Sequence, residues 1–271
     1  MTLTLKAALS MILMRLVSSE GWQKHLEEQG FVFPLGRLDP SLHARILDQV
    51  TVWESEGEML GEAKSTWNAH LRSDAVMEAA TNSQILDAVQ EVLGEDVVLL
   101  HTTFFAKYPQ NTTDQNAPKC LTVIGTHQDR TYWGINPESQ PVVSVWVAID
   151  NVTAENGAMR FAPGSHKKKF EHVVGYDECS ALGQAQSIRI EDLPSEELVD
   201  MTLTGGEYGM FDSFAAHRSE RNTSPKRRIG MTMIYSPPKV WFSEFPNIDN
   251  SWRKPLQVRC NGKACHQQME L

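Results

Sequence analysis

The chain has 271 residues, 41% of them hydrophobic and 22% charged, and its 25 basic against 34 acidic side chains give a formal charge of −9. That length is ample for one sizeable buried core, and that composition excludes a disordered chain. The acidic balance, with a longest basic cluster of only Lys167 to Lys169, excludes nucleic-acid binding as the default reading.

The N-terminal stretch MTLTLKAALSMILMRLVSS places Leu5, Leu9, Ile12, Leu13 and Leu16 at helical spacing, which predicts an amphipathic helix. It is broken by Arg15, falls short of the roughly 20 apolar residues of a membrane span, and has no small-x-small cleavage site before Glu20. A cytoplasmic protein with no membrane partner is the expectation. Gly21 to Glu28 reads as a helix stopped at Gly30. Asp39-Pro40-Ser41 starts a second helix running to about Glu54, and Asn82 and Ser83 cap a third, Gln84 to Leu93, ended by Gly94.

From Val97 the texture changes. VVLLHTTFFAKYP, VVSVWVAID, MRFAP, EYGMFD and RRIGMTMIYS are short runs rich in β-branched and aromatic residues, punctuated by Gly, Pro and Asn. They predict a mainly β body with flanking helices: a helical preface over about 1–95, a β core over about 96–240 and a tail over 241–271. No proline- or serine-rich linker divides the chain, so a single domain is expected. His166 to Pro194 is a long polar interruption between strand-like blocks. Its ends should lie near the mouth of the β body, which suggests a lid over 167–194 that folds down when substrate binds. Cys120, Cys179, Cys260 and Cys265 do not make a disulfide framework and fit a reduced setting. Cys260, Cys265 and His266 lack a second paired cluster, so no zinc site is expected there.

The chemistry concentrates in Thr126-His127-Gln128-Asp129. At a strand end, residues i and i+2 face the same way, so His127 and Asp129 converge on one point. His217 follows the strand-like EYGMFDSF. Two imidazoles and one carboxylate make the facial triad of non-haem Fe(II) oxygenases, which leaves three positions open for a bidentate co-substrate and O2. Ser219 and Arg228 follow closely. An arginine fork with a nearby hydroxyl grips a remote carboxylate, and a 2-oxo acid held in that way is 2-oxoglutarate. His43, His70 and His172 read as packing or surface histidines, and Asn156-Gly157 as a turn. Arg160 reads as solvated or ion-paired.

The blocks HTTFFAKYP, THQDRTYW, VSVWVAIDNVTAENGAMRFAPGSH and HRSERNTSPKRRIG resemble, in order, those of the phytanoyl-CoA hydroxylase-like (PhyH) Fe(II)/2-oxoglutarate dioxygenases. They span Val97 to Tyr235, about half of the chain, and HLEEQGFVFPLGRLDPSLHARIL resembles the family's opening helix and first strand. The resemblance implies a double-stranded β-helix, the cupin-like jelly roll. It implies His127, Asp129 and His217 as iron ligands, and Arg228 and Ser219 as the clamp on the far carboxylate of 2-oxoglutarate. It places Thr103 and Trp146 along the co-substrate pocket, and Gln128 and Trp133 toward the primary substrate; Arg130 is a further candidate for an anionic substrate. Asp129 stands where family halogenases have a small residue, which favours hydroxylation.

The expected activity is therefore oxidation of a C–H bond of a small metabolite or natural-product intermediate, with release of succinate and CO2. Desaturation and ring closure are open to the same chemistry. A non-catalytic cupin sensor, a metal-dependent isomerase or hydrolase on the same barrel, and an acyl-CoA hydroxylase are the alternatives; neither the substrate nor the oligomeric state is legible.

Overall fold

The computed structural model describes residues 21–58, 67–109, 123–174, 186–194, 197–242 and 254–269. The amphipathic segment before Gly21, Cys120, Cys179 and the middle of the proposed lid, 175–185, lie outside the described residues. Helix α1 (Trp22–Gln29) ends at Gly30, whose φ of 89° is the left-handed cap that glycine adopts without strain. Strand β1 (Phe31–Arg37) follows at once. Helix α2 (Pro40–Ser55) starts with proline in its first turn, and the Asp39 carboxylate accepts from Ser41 N at 2.8 Å. Helix α3 (Asp74–Ala80) has no clear start signal, and Ser73 makes no side-chain cap. Helix α4 (Ser83–Leu93) is capped by Asn82, which accepts from Gln84 N and Ile85 N.

The β body runs through β2 (Val97–Lys107), β3 (Ile124–His127), the short helix α5 (Arg130–Trp133), β4 (Ile135–Asn136), β5 (Val143–Ala148) and β6 (Met159–Phe161). It continues through β7 (Val173–Val174), β8 (Gln186–Ser187), β9 (Val199–Asp200), β10 (Glu207–Asp212), β11 (His217–Ser219) and β12 (Arg228–Ser236). The C-terminal part adds β13 (Trp241–Phe242), β14 (Leu256–Cys260) and β15 (Lys263–Gln268). Seven strands form one sheet in the order β1-β10-β5-β12-β2-β14-β15, and four form a second in the order β3-β11-β6-β9. All the pairings are antiparallel. This is the jelly roll.

Strands β5 and β12 are buried at every residue because both faces of the large sheet are covered. Val143, Val145, Val147, Met231, Met233 and Tyr235 pack outward with Ile46, Val50, Val76, Ile85 and Val89 of the helices. Trp146 and Ala148 point the other way and share an inner cluster with Phe31, Phe33, Phe161 and Phe211. The helical layer thus seals one face of the large sheet, and the inner face is left for the site.

The N-terminal part contributes β1 to one edge of the large sheet, and the C-terminal part contributes its other edge, β14 and β15. The cysteine reading is corrected: Cys260 and Cys265 are joined in a disulfide with a Cα–Cα separation of 5.9 Å. The β14–β15 hairpin sets Cys260 opposite Lys263, which brings the two thiols together across the turn. Among the described residues no helix is long and apolar enough to cross a membrane.

Candidate active site

Strands β3 and β11 pair so that His127 lies directly opposite His217. Each imidazole is oriented by the carbonyl two residues before it: His127 Nδ1 lies 2.8 Å from Gly125 O, and His217 Nδ1 lies 3.0 Å from Ala215 O. A carbonyl only accepts, so both Nδ1 atoms carry a proton, and both Nε2 atoms are turned toward Asp129. These point to one place. Asp129 Oδ1 is 3.2 Å from His127 Nε2 and 3.8 Å from His217 Nε2. One donor atom from each of the three residues falls within 4.8 Å of the others, the geometry of a metal site. Phe161 and Phe211 pack on the His217 ring at 5.1 and 5.3 Å. Burial, and then the neighbouring His127, push the His217 imidazole down to about 4, which keeps it a neutral ligand.

Arg228 begins β12, and the register places it across from Lys107 on β2. Its guanidinium donates to Gly157 O at 2.6 Å and lies 5.8 Å from the centre of the Trp146 ring. Gly157 has a φ of 84°, and the Asn-Gly turn of the ENGAM block thereby aims a carbonyl at this arginine. Arg228 Nε and Ser219 Oγ are both buried without a hydrogen-bond partner among the described residues. Two orphaned buried donors, an arginine Nε and a hydroxyl, fit a carboxylate. Ser219 lies two residues from His217, roughly 7 Å along an extended strand, a spacing that suits a five-carbon dicarboxylate between clamp and metal. Thr103, Thr232 and Trp146 are in register across β2, β12 and β5 and share the inner face with Arg228.

Sequence reasoning misses Lys107. Its Nζ donates to Ser219 O at 3.1 Å and to Glu220 O. Burial, followed by the nearby Arg228, pushes its ammonium down to about 6. The only signal is its place at the end of HTTFFAK, and the strand register that pairs it with Arg228 cannot be read from one sequence.

The residues expected to face the substrate have the following surroundings. Gln128 is fully buried, and its side-chain amide donates to Lys168 O and Phe214 O and accepts from Phe170 N. With His127 and Asp129 turned to the metal position, the residue between them must turn away. Arg130 is also buried, donating to Gln140 O and Pro137 O. Trp133 packs against an apolar cluster that includes Ile135 and Ile234. The neighbour of His127 is Tyr132, at 5.7 Å between ring centres, and Tyr132 meets His172 edge-on at 5.6 Å. Arg160 is ion-paired with Asp200.

A jelly roll with two imidazoles and a carboxylate converging inside it, and a buried arginine behind them, defines a metal-binding enzyme fold of the cupin type. The chain belongs to the phytanoyl-CoA dioxygenase (PhyH) family, which matches residues 27–230. Among curated proteins it is 25% identical over 232 residues to 1-deoxypentalenic acid 11-beta-hydroxylase of Streptomyces arenae, a match covering 76% of this chain and 75% of that one. It is 25% identical over 171 residues to a phytanoyl-CoA dioxygenase domain-containing protein 1 homolog of Caenorhabditis briggsae, covering 60% and 55%. The chain thus spans about half the length of that relative. Among solved structures, the non-heme monooxygenase ThoJ in its apo form superposes with a TM-score of 0.68 at 24% identity, covering 88% and 83%. The epimerase SnoN, in complex with Fe3+, alpha ketoglutarate and nogalamycin RO, superposes at 0.66 with 18% identity, covering 89% and 93%. These structural likenesses establish the fold.

Proposed function

We propose that the chain works as one Fe(II)- and 2-oxoglutarate-dependent oxygenase domain that oxidises a C–H bond of a small metabolite or natural-product intermediate. The observation that carries this reading is the convergence of His127 Nε2, His217 Nε2 and Asp129 Oδ1, with the orphaned Arg228 Nε and Ser219 Oγ behind it. His127, Asp129 and His217 would hold the iron. Arg228, Ser219, Thr103 and Trp146 would hold 2-oxoglutarate, joined by Lys107. Bound iron supplies O2 activation coupled to oxidative decarboxylation of the co-substrate to succinate and CO2. The protein orients the two substrates and keeps water out: the ligand histidines are buried among Phe161, Phe211 and Tyr132.

The substrate class is supported by kinship with 1-deoxypentalenic acid 11-beta-hydroxylase. Lys169 is ion-paired with Glu138, and Lys168 lies 4.9 Å over the Phe170 ring. Anaerobic addition of Fe(II) and 2-oxoglutarate should produce a visible charge-transfer band, and His217→Ala should lose both the band and succinate formation. An unchanged band in His217→Ala would refute the ligand assignment.

A further inference from the structure

One continuous stretch of chain, 162–172, is hydrogen-bonded to both segments that carry the metal ligands. On the β11 side, Ala162 N donates to Ala216 O at 2.9 Å. Ser165 Oγ accepts from Ala216 N at 2.8 Å while donating to Ala162 O at 2.6 Å. Ala216 is the residue before His217. On the β3 side, Gln128 Nε2 donates to Lys168 O at 2.7 Å, Phe170 N donates to Gln128 Oε1 at 2.9 Å, and Gln128 N donates to His172 Nε2 at 3.0 Å. Gln128 stands between the ligands His127 and Asp129, and its amide also reaches Phe214 O at 2.6 Å, in the turn before His217. Beyond the stretch, Ile188 N donates to Thr126 O at 2.7 Å and Tyr132 Oη donates to Gln186 O at 2.9 Å.

We propose that 162–172 is a brace for the metal centre and that Gln128, Ser165 and His172 are positioning residues that fix its span. The inference rests on the proposed metal site and adds what sets its geometry. The two histidines come from two short strands and Asp129 follows two residues past the end of β3, and three- or four-residue strands have little ladder of their own to hold a separation. A single segment bonded to both sides supplies that separation, as the outer-shell partners of metal ligands commonly do. Gln128 suits this role because a primary amide both donates and accepts, so one side chain satisfies three backbone groups of two different segments. The same bonds account for its burial away from the substrate.

The test uses the full chain and Co(II) as an oxygen-stable metal probe, with affinity measured against a competing chelator and local exchange of backbone amides followed in parallel. Gln128→Met keeps the side-chain length and removes all three amide bonds. It should weaken Co(II) binding at least tenfold and speed exchange at 168–172, while exchange in β5 and β12 stays slow. His172→Phe keeps the ring against Tyr132 and removes both the acceptor for Gln128 N and the Nδ1 bond to Phe170 O, so a smaller loss in the same direction is expected; it also decides the matter if Gln128→Met does not fold. Gln128→Glu keeps the acceptor for Phe170 N but sets a carboxylate against two carbonyls, and should not restore wild-type affinity. Faster exchange at 168–172 with Co(II) affinity within twofold of wild type would overturn the brace and leave the metal site standing. Failure of the wild-type chain to bind Co(II) would overturn the proposed function, and the brace with it.

Discussion

At the scale of single residues, the most consequential fact is that two cations, Arg228 and Lys107, are buried side by side across the β2–β12 ladder. Burial and Arg228 hold the Lys107 ammonium at about 6, so in the empty site it is mostly neutral at pH 7.5. A carboxylate arriving beside it favours the charged form and raises that value. Binding of 2-oxoglutarate should therefore take up a proton, and affinity should fall as pH rises above 6, by at most about tenfold per unit. Titration calorimetry at pH 7.5 in two buffers of different ionisation heat measures the uptake, which Lys107→Met should abolish. Equal uptake in the variant would assign the proton elsewhere. Arg228→Met removes charge-assisted bonds of about 1.5–3 kcal/mol each, so 2-oxoglutarate affinity should drop roughly 10- to 100-fold. Co(II) affinity should barely change, because the guanidinium sits behind the ligands rather than among them.

At the scale of elements, β12 shows how a strand builds a pocket by what it omits. Gly230 lies between Arg228 and Thr232 on the inner face, and a β-carbon there would overlap the Trp146 indole of the neighbouring strand. The indole occupies the space a side chain at 230 would take, and its ring centre lies 5.8 Å from the Arg228 guanidinium. Gly230→Ala should cost about 1–3 kcal/mol of overpacking, visible as a lower thermal midpoint. It should also weaken 2-oxoglutarate binding, since the displaced ring supports the clamp. An alanine variant with wild-type stability and co-substrate affinity would show that the ring has room to move. Within the segment expected to act as a lid, the small β7–β8 ladder pairs Val173 with Ser187 and Val174 with Gln186.

At the scale of the whole molecule, the helical layer and β2 enclose two neutral histidines outside the metal site. His70 lies against Thr102, and burial pushes it down to about 4; His101 lies against Asn68, and burial, then His70, push it down to about 3. Both values are depressed in the folded state, so the unfolded chain binds more protons below pH 6.5. Stability should fall as pH drops from about 6.5 toward 4, with a limiting slope on the order of 1.4 kcal/mol per pH unit for each histidine. Urea unfolding at a series of pH values from 7 to 5 checks this. A flat profile would mean that water or rearrangement admits the charged imidazoles.

The amino-acid sequence alone revealed the helix starts, because Asp39 and Asn82 cap through their own neighbours, and the long strands β2, β5 and β12, because they are runs rich in β-branched and aromatic residues. It also named the metal-site triplet, since the i, i+2 geometry of His127 and Asp129 is local and the later His217 and Arg228 resemble a known pattern. The rest depended on contacts made in folding. Strands as short as β3 and β11 have no signal apart from the partner that pairs with them, and the Cys260–Cys265 bond exists because a hairpin closes. Lys107 gains its character from a register set by Arg228 far along the chain. Gln128 reads in the sequence as facing the substrate because it sits between two ligands. Which way its amide turns depends on carbonyls at 168 and 214, and only folding brings those within hydrogen-bonding reach.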